Sequence, residues 1–235
     1  MGGRCKPLTK PRTEFDWAVY ADATFAGLSL LIPIPLLDLA FESYFRRRML
    51  KTIARRRNCR LPPQVIAELN RGDRDCLQSC LVWPVILIYQ FLKQLSRKIL
   101  YFLTVKEAID QLNCYWHRAF LLNHLMLMEC LDDADGAGTA RIALDEVLDH
   151  VAASPLRQLA QQVVSAPSRV WRSLRRARRG REDETVAQTR SLMARTWDSF
   201  SDYFEAVAAQ FEQTYREVEA RRAAEATPSG ADGDF

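Results

Sequence analysis

The chain has 235 residues, enough for one large domain or two small ones with a buried core. Its 48% apolar and 26% charged residues are ordinary globular composition and exclude wholesale disorder. A formal net charge of +4 is modest, but Lys and Arg gather in two runs, so the distribution rather than the sum points to an acidic partner.

Strand signals are weak, because only nine glycines occur and no alternating apolar and polar run lies between hairpin turns. An all-α fold is expected. Residues 1–14, with four basic side chains, two glycines and two prolines, read as a flexible basic leader. Residues 15–131 read as an apolar helical domain. Its first part, Asp16 to Arg57, is two helices separated at Leu31-Ile32-Pro33-Ile34-Pro35, since each proline removes a donor and restricts its predecessor. The second arm carries Leu37, Phe41, Phe45 and Met49 at spacings of four, with a basic opposite face.

A connector from Asn58 to Asp75 holds a short helix at Gln64 to Leu69. The segment 76–92 has no charge, and helical periodicity then continues to Leu131. Asp132 to Gly138 reads as a loop, and 139–181 as short helices ending in a basic run. One of these helices starts at Thr139, and another at Ser154-Pro155, as cap and first-turn proline. Residues 182–226 read as one long amphipathic helix, and 227–235 as a disordered tail. Along the long helix Trp197, Phe200, Phe204 and Phe211 belong to a seam with Val186, Met193, Val207 and Val218. Aromatic side chains dominate it where a zipper would use Leu and Ile, so docking on the body or on a protein partner is expected. Trp197, Phe200, Phe204 and Phe211 are the candidate partner-binding residues.

A membrane span needs about 20 mainly apolar residues. Fifteen uncharged residues separate Asp22 from Asp38 and seventeen separate Asp75 from Lys93, and prolines interrupt both stretches. Basic residues flank every apolar segment, which removes the asymmetry of a simple span and favours interfacial or re-entrant insertion. Leu37, Phe41, Phe45, Trp83, Ile86 and Ile88 are the candidate inserting side chains. Between Arg46 and Arg60 there are eight basic residues and no acidic one. Of these, Arg46, Arg47, Arg48, Lys51, Arg55, Arg56 and Arg57 are the candidate ligands for anionic headgroups, at about 1 kcal/mol each near the surface. A second run, Arg169 to Arg181, has the same composition. No helix-turn-helix, zinc finger or RNA-binding aromatic motif accompanies either run, which argues against nucleic acid.

Glycine-rich phosphate loops, the nucleophile elbow and the paired-histidine zinc motif are absent. Six cysteines without staple or zinc spacing, and with no cleavable signal before them, read as reduced, buried thiols in a cytosolic compartment. His117 and His124 could share a helix face but lack a matched third ligand, so no metal, cofactor or catalytic residue is assigned. Asp132, Asp133, Asp135 and Gly136 do not fit a calcium-loop register and read as a polar turn. Asp22 is expected at headgroup level, with Asp38 capping the helix after Pro35.

The segment Gly27-Leu-Ser-Leu-Leu-Ile-Pro-Ile-Pro-Leu-Leu-Asp38, followed by a helix ending in basic residues, resembles the EcsC-type family of bacterial membrane-associated helical proteins. The resemblance covers residues 27–57. It implies a membrane role and supplies no catalytic residues. The resulting expectation is a non-enzymatic protein at the cytoplasmic face of a membrane. Anionic lipid is one partner, and a protein partner or a second copy engages the C-terminal helix. The alternative is a soluble helical adaptor without membrane contact.

Overall fold

The computed structural model describes residues 16–31, 37–71, 97–128, 131, 133–151, 154–165, 172, 176 and 184–226, and every element among them is helical. The expected leader and tail, Pro33 and Pro35, most of the second arginine run, and Trp83, Ile86 and Ile88 lie outside the described residues.

Helix α1 (Trp17–Gly27) starts where Asp16 Oδ1 accepts from the Ala18 amide at 2.9 Å. A 3-10 turn (Leu28–Leu31) follows it. Helix α2 (Leu37–Arg56) ends in a left-handed cap at Asn58, φ 54°, with the Cys59 amide donating to Ala54 O at 2.9 Å. Helix α3 (Pro63–Asn70) opens on a proline that loses no helical hydrogen bond there. Then come α4 (Arg97–Leu127), α5 (Ala134–Leu148), α6 (Leu156–Ser165), α7 (Glu184–Asp198) and α8 (Ser201–Ala226).

The two arms around the proline break form a hairpin. Phe25 stacks on Phe45 with centroids 4.8 Å apart, and Asp22 meets Arg48 at 3.1 Å, so α1 and α2 run antiparallel. Helix α4 is the central pillar, with Tyr115 to Met126 all buried. α1 crosses it closely at Gly27, where a Cβ would stand 2.6 Å from Leu112 Cα. Trp116 Nε1 donates to Thr24 Oγ1 at 3.0 Å, tying the same two helices through a buried pair.

Three expectations are corrected. Asp132 to Gly138 is not a loop throughout, because Asp133 Oδ1 caps the Gly136 amide at 2.7 Å and α5 begins at Ala134. The space left by Gly138 is taken by Arg222, whose Nη1 would lie 3.2 Å from a Cβ there. The long C-terminal helix is interrupted at Ser199 and Phe200. The Ser199 hydroxyl bonds the Thr196 carbonyl at 2.6 Å, a local side-chain bond that competes with helix continuation. Finally, the Ser154 hydroxyl is given to Asn113 Oδ1 at 2.6 Å rather than to the start of α6.

Candidate functional site

Helix α2 has two faces of different fate. Phe45, Met49, Leu50 and Ile53 are all at most 4% exposed and line the core. Phe45, expected to enter lipid, is therefore enclosed in the protein's own interior. Phe41 is half-buried with its ring 4.6 Å from that of Phe45. Leu37 alone of the described candidates for insertion stands out, at 45% exposure.

The basic side chains divide in the same way. Arg48 pairs with Asp22, Arg56 with Asp16 at 3.4 Å, and Arg57 Nε donates to Asn123 Oδ1 at 2.8 Å. Arg46 is half-buried. Arg47, Lys51 and Arg55 are exposed and make no hydrogen bond or ion pair among the described residues. On a wheel of 3.6 residues per turn these three share an arc of about 80° with Leu37, Ala40 and Tyr44. Tyr44 is 54% exposed, and it and Leu37 are the large apolar side chains most open to solvent among the described residues. Ala40, Ser43, Tyr44, Arg47, Arg48 and Lys51 line a shallow cleft of about 420 Å³ along this face. Asp38 in the first turn and Arg55 and Arg56 in the last complement the helix dipole, so the cations sit at the end that favours them.

Asp22 corrects another expectation. It is 4% exposed rather than at headgroup level, and burial raises its pKa while Thr52 at 2.8 Å and Arg48 hold it down. The buried carboxylate fixes Arg48 to the body and so leaves Arg47 and Lys51 outward.

The C-terminal seam turns inward. Trp197 is 1% exposed, and Phe204 and Phe211 are fully buried, so these three are closed to a partner. Phe200 is half-buried against the same core. Trp197 and Phe204 stack with centroids 4.3 Å apart, and Phe204 meets Phe120 of α4 at 4.6 Å.

The two α4 histidines, by their spacing a possible metal pair, are each held by α8. His117 Nδ1 donates to the Asn113 carbonyl at 2.8 Å, which leaves Nε2 to accept from the Tyr203 hydroxyl at 2.8 Å. His124 takes the opposite tautomer, donating Nε2–H to Glu212 at 2.9 Å. Burial pushes His117 down to about 4, and it lowers His124 against the opposing pull of Glu212. Tyr203 and Glu212 were not visible as partners in the sequence, although the seven-residue spacing of the histidines marked the face they meet.

No family model, curated protein or solved structure matches this chain. Function has to be read from the side chains. No helix among the described residues is long and apolar enough to cross a membrane, and no group of three or more His, Cys, Asp or Glu is placed to hold a metal. The outward face of α2 offers unpaired cations beside exposed apolar groups on a rigid helix. That pairing suits a surface that is negative and apolar at once.

Proposed function

We propose that the protein is non-enzymatic and attaches peripherally to the anionic, cytoplasmic face of a membrane through the outward face of α2. One observation carries this reading: Leu37, Ala40, Tyr44, Arg47, Lys51 and Arg55 form one exposed stripe whose three cations have no partner among the described residues. Three cations near an anionic surface contribute roughly 3 kcal/mol, and a Tyr at headgroup depth satisfies both its ring and its hydroxyl. The EcsC-type resemblance of residues 27–57 supports the same direction. The aromatic seam of Trp197, Phe204 and Phe211 is consumed by the core and lends no support to a protein partner.

Liposome flotation tests the reading. The protein is expected to float with vesicles containing phosphatidylglycerol, to stay behind with phosphatidylcholine alone, and to be released by high salt. Replacing Arg47, Lys51 and Arg55 together by Ser abolishes flotation. Failure of the unmodified protein to float leaves the second reading, a soluble helical adaptor. That reading is favoured by the enclosure of Phe45, Trp197, Phe204 and Phe211 within a single core.

A further inference from the structure

Helices α4 and α6 leave a groove between them that shares no lining residue with the outward face of α2. Arg157 of α6 meets Asp110 of α4 at 3.1 Å, and one turn earlier in the chain the Ser154 hydroxyl donates to Asn113 Oδ1 at 2.6 Å. Moving forward along α4 from Asp110 to Asn113 thus means moving back from Arg157 to Ser154, so the two helices run antiparallel. The Ser154–Asn113 bond closes one end, since both side chains are buried. From there opens a cavity of about 700 Å³, whose α6 wall runs from Ser154 to Ser165. At 1.5 Å per residue that wall is about 16 Å long.

The lining combines three kinds of surface. Val105, Ile109 and Pro155 are apolar and half-buried, the first two resting on the core beneath. The side chains of Gln158 and Gln161 are exposed and make no hydrogen bond among the described residues. Arg157 is neutralised by Asp110, whereas Lys106 is exposed and has no hydrogen bond or ion pair among the described residues. Four residues back from Asp110 and four on from Arg157, Lys106 and Gln161 stand opposite each other across the groove. The described lining residues include no carboxylate and no aromatic ring.

These surfaces select an occupant. A cation would meet Lys106 with no carboxylate to offset it. A nucleotide would find no aromatic side chain to stack on. A wholly apolar molecule would leave the ammonium group unused. An alkyl chain ending in a carboxylate engages all three surfaces, because its chain leaves water against Val105, Ile109 and Pro155 while the acid pairs with Lys106. Cavities of roughly 300–1,000 Å³ hold ligands of small-molecule size.

We propose that the groove between α4 and α6 binds one medium-chain fatty acid, with its carboxylate at Lys106 and Gln161 and its chain over Ile109 and Pro155 toward the closed end at Ser154. The site does not depend on the membrane reading, because none of its residues belongs to the outward stripe of α2.

The test is isothermal titration calorimetry of the full chain at neutral pH with decanoate, decanol and decylammonium, each below its aggregation concentration. Decanoate is expected to saturate at one per chain, and decanol to bind about threefold more weakly, the difference that an exposed ion pair makes. Decylammonium should show no saturable binding. Lys106→Met brings decanoate to the level of decanol and leaves decanol unchanged, and Lys106→Glu makes decylammonium the preferred ligand. Gln158→Trp, at an exposed position, fills the groove and removes saturable binding of both decanoate and decanol. No saturable binding of decanoate to the unmodified chain overturns the proposal, as does unchanged affinity in Gln158→Trp or a Lys106→Glu variant that still prefers decanoate. Replacing Arg47, Lys51 and Arg55 by Ser leaves decanoate binding intact, and its loss there would place the amphiphile on α2 and overturn the groove. Saturable decanoate binding by a chain that fails to float with anionic vesicles keeps the groove and removes the membrane reading.

Discussion

Helices α2 and α8 both carry an apolar stripe at helical spacing with charges on the remainder, yet they end in different surroundings. In α8 the whole stripe, from Phe204 through Phe211 and Tyr215 to Val218, is buried against the body. In α2 the stripe is split, with Phe45, Met49 and Ile53 inside and Leu37 and Tyr44 in solvent next to unpaired cations. Periodicity alone reports that a helix has a face to bury. What covers the face depends on whether the rest of the chain presents a complementary surface. Helices α5 and α4 supply one for α8, α1 and α4 supply one for the inner face of α2, and nothing among the described residues covers the outer face of α2.

Removing part of the covered seam should have the largest effect. Phe204 is fully buried between Trp197 and Phe120, and Phe204→Ala should cost about 3–5 kcal/mol, read from urea unfolding. A loss under about 1 kcal/mol would mean that α8 packs loosely and that its aromatic side chains are available after all.

Acid should act on the same contact. His117 is neutral in the fold at pH 7, with its pKa lowered from 6.5 to about 4, while the unfolded chain takes up a proton as soon as pH falls below about 6.5. Its contribution to stability is thus complete above pH 6.5, declines as pH falls toward 4, and changes no further below that. The loss across the window is of order 3 kcal/mol, and His124 adds to it in the same direction. Unfolding midpoints measured from pH 7.5 to 4 should show this slope, and His117→Gln should flatten it. An unchanged slope in that variant would assign the acid sensitivity elsewhere.

The hairpin that carries α2 depends on a close approach that can be tested next. Gly27→Ala places a methyl carbon 2.6 Å from the Leu112 backbone, so α1 and α4 must move apart. A cost of about 1–3 kcal/mol is expected in denaturant unfolding. A neutral result would show that the two helices separate freely, and that the outward pose of α2 is not held by the core.

Much of this organisation was legible from local chemistry. Asp16 marks a helix start, the short helix expected at Gln64 to Leu69 lies within α3, Pro33 and Pro35 fall between α1 and α2 in sequence, and the cations of α2 were readable as an outer face because unpaired charges are expensive to bury. What escaped were features decided by distant residues. Asp22 looked like a headgroup-level acid because its partners Arg48 and Thr52 lie 26 and 30 residues further on. Gly136 and Gly138 looked like a loop because Arg222, which fills the space over Gly138, lies on α8. The aromatic seam looked available to a partner because α4, which claims it, is remote in sequence. In the candidate site the helix and its charge were visible, but the division of seven basic residues into paired and unpaired sets was not.

That division yields the smallest expected change in stability. Arg47, Lys51 and Arg55 have no hydrogen-bond or ion-pair partner among the described residues, so replacing each by Ser should alter unfolding free energy by no more than about 0.5 kcal/mol. Arg48 lies within the same helical turn as Arg47, and replacing it strands the buried carboxylate of Asp22. Urea unfolding of Arg47→Ser beside Arg48→Ser therefore compares neighbours of identical chemistry. A destabilised Arg48→Ser with an unchanged Arg47→Ser places Arg47 outside the fold's own needs and leaves its charge free for a surface beyond the chain. Equal losses at the two positions would mean that the outward stripe is structural, and the case for lipid would go with it.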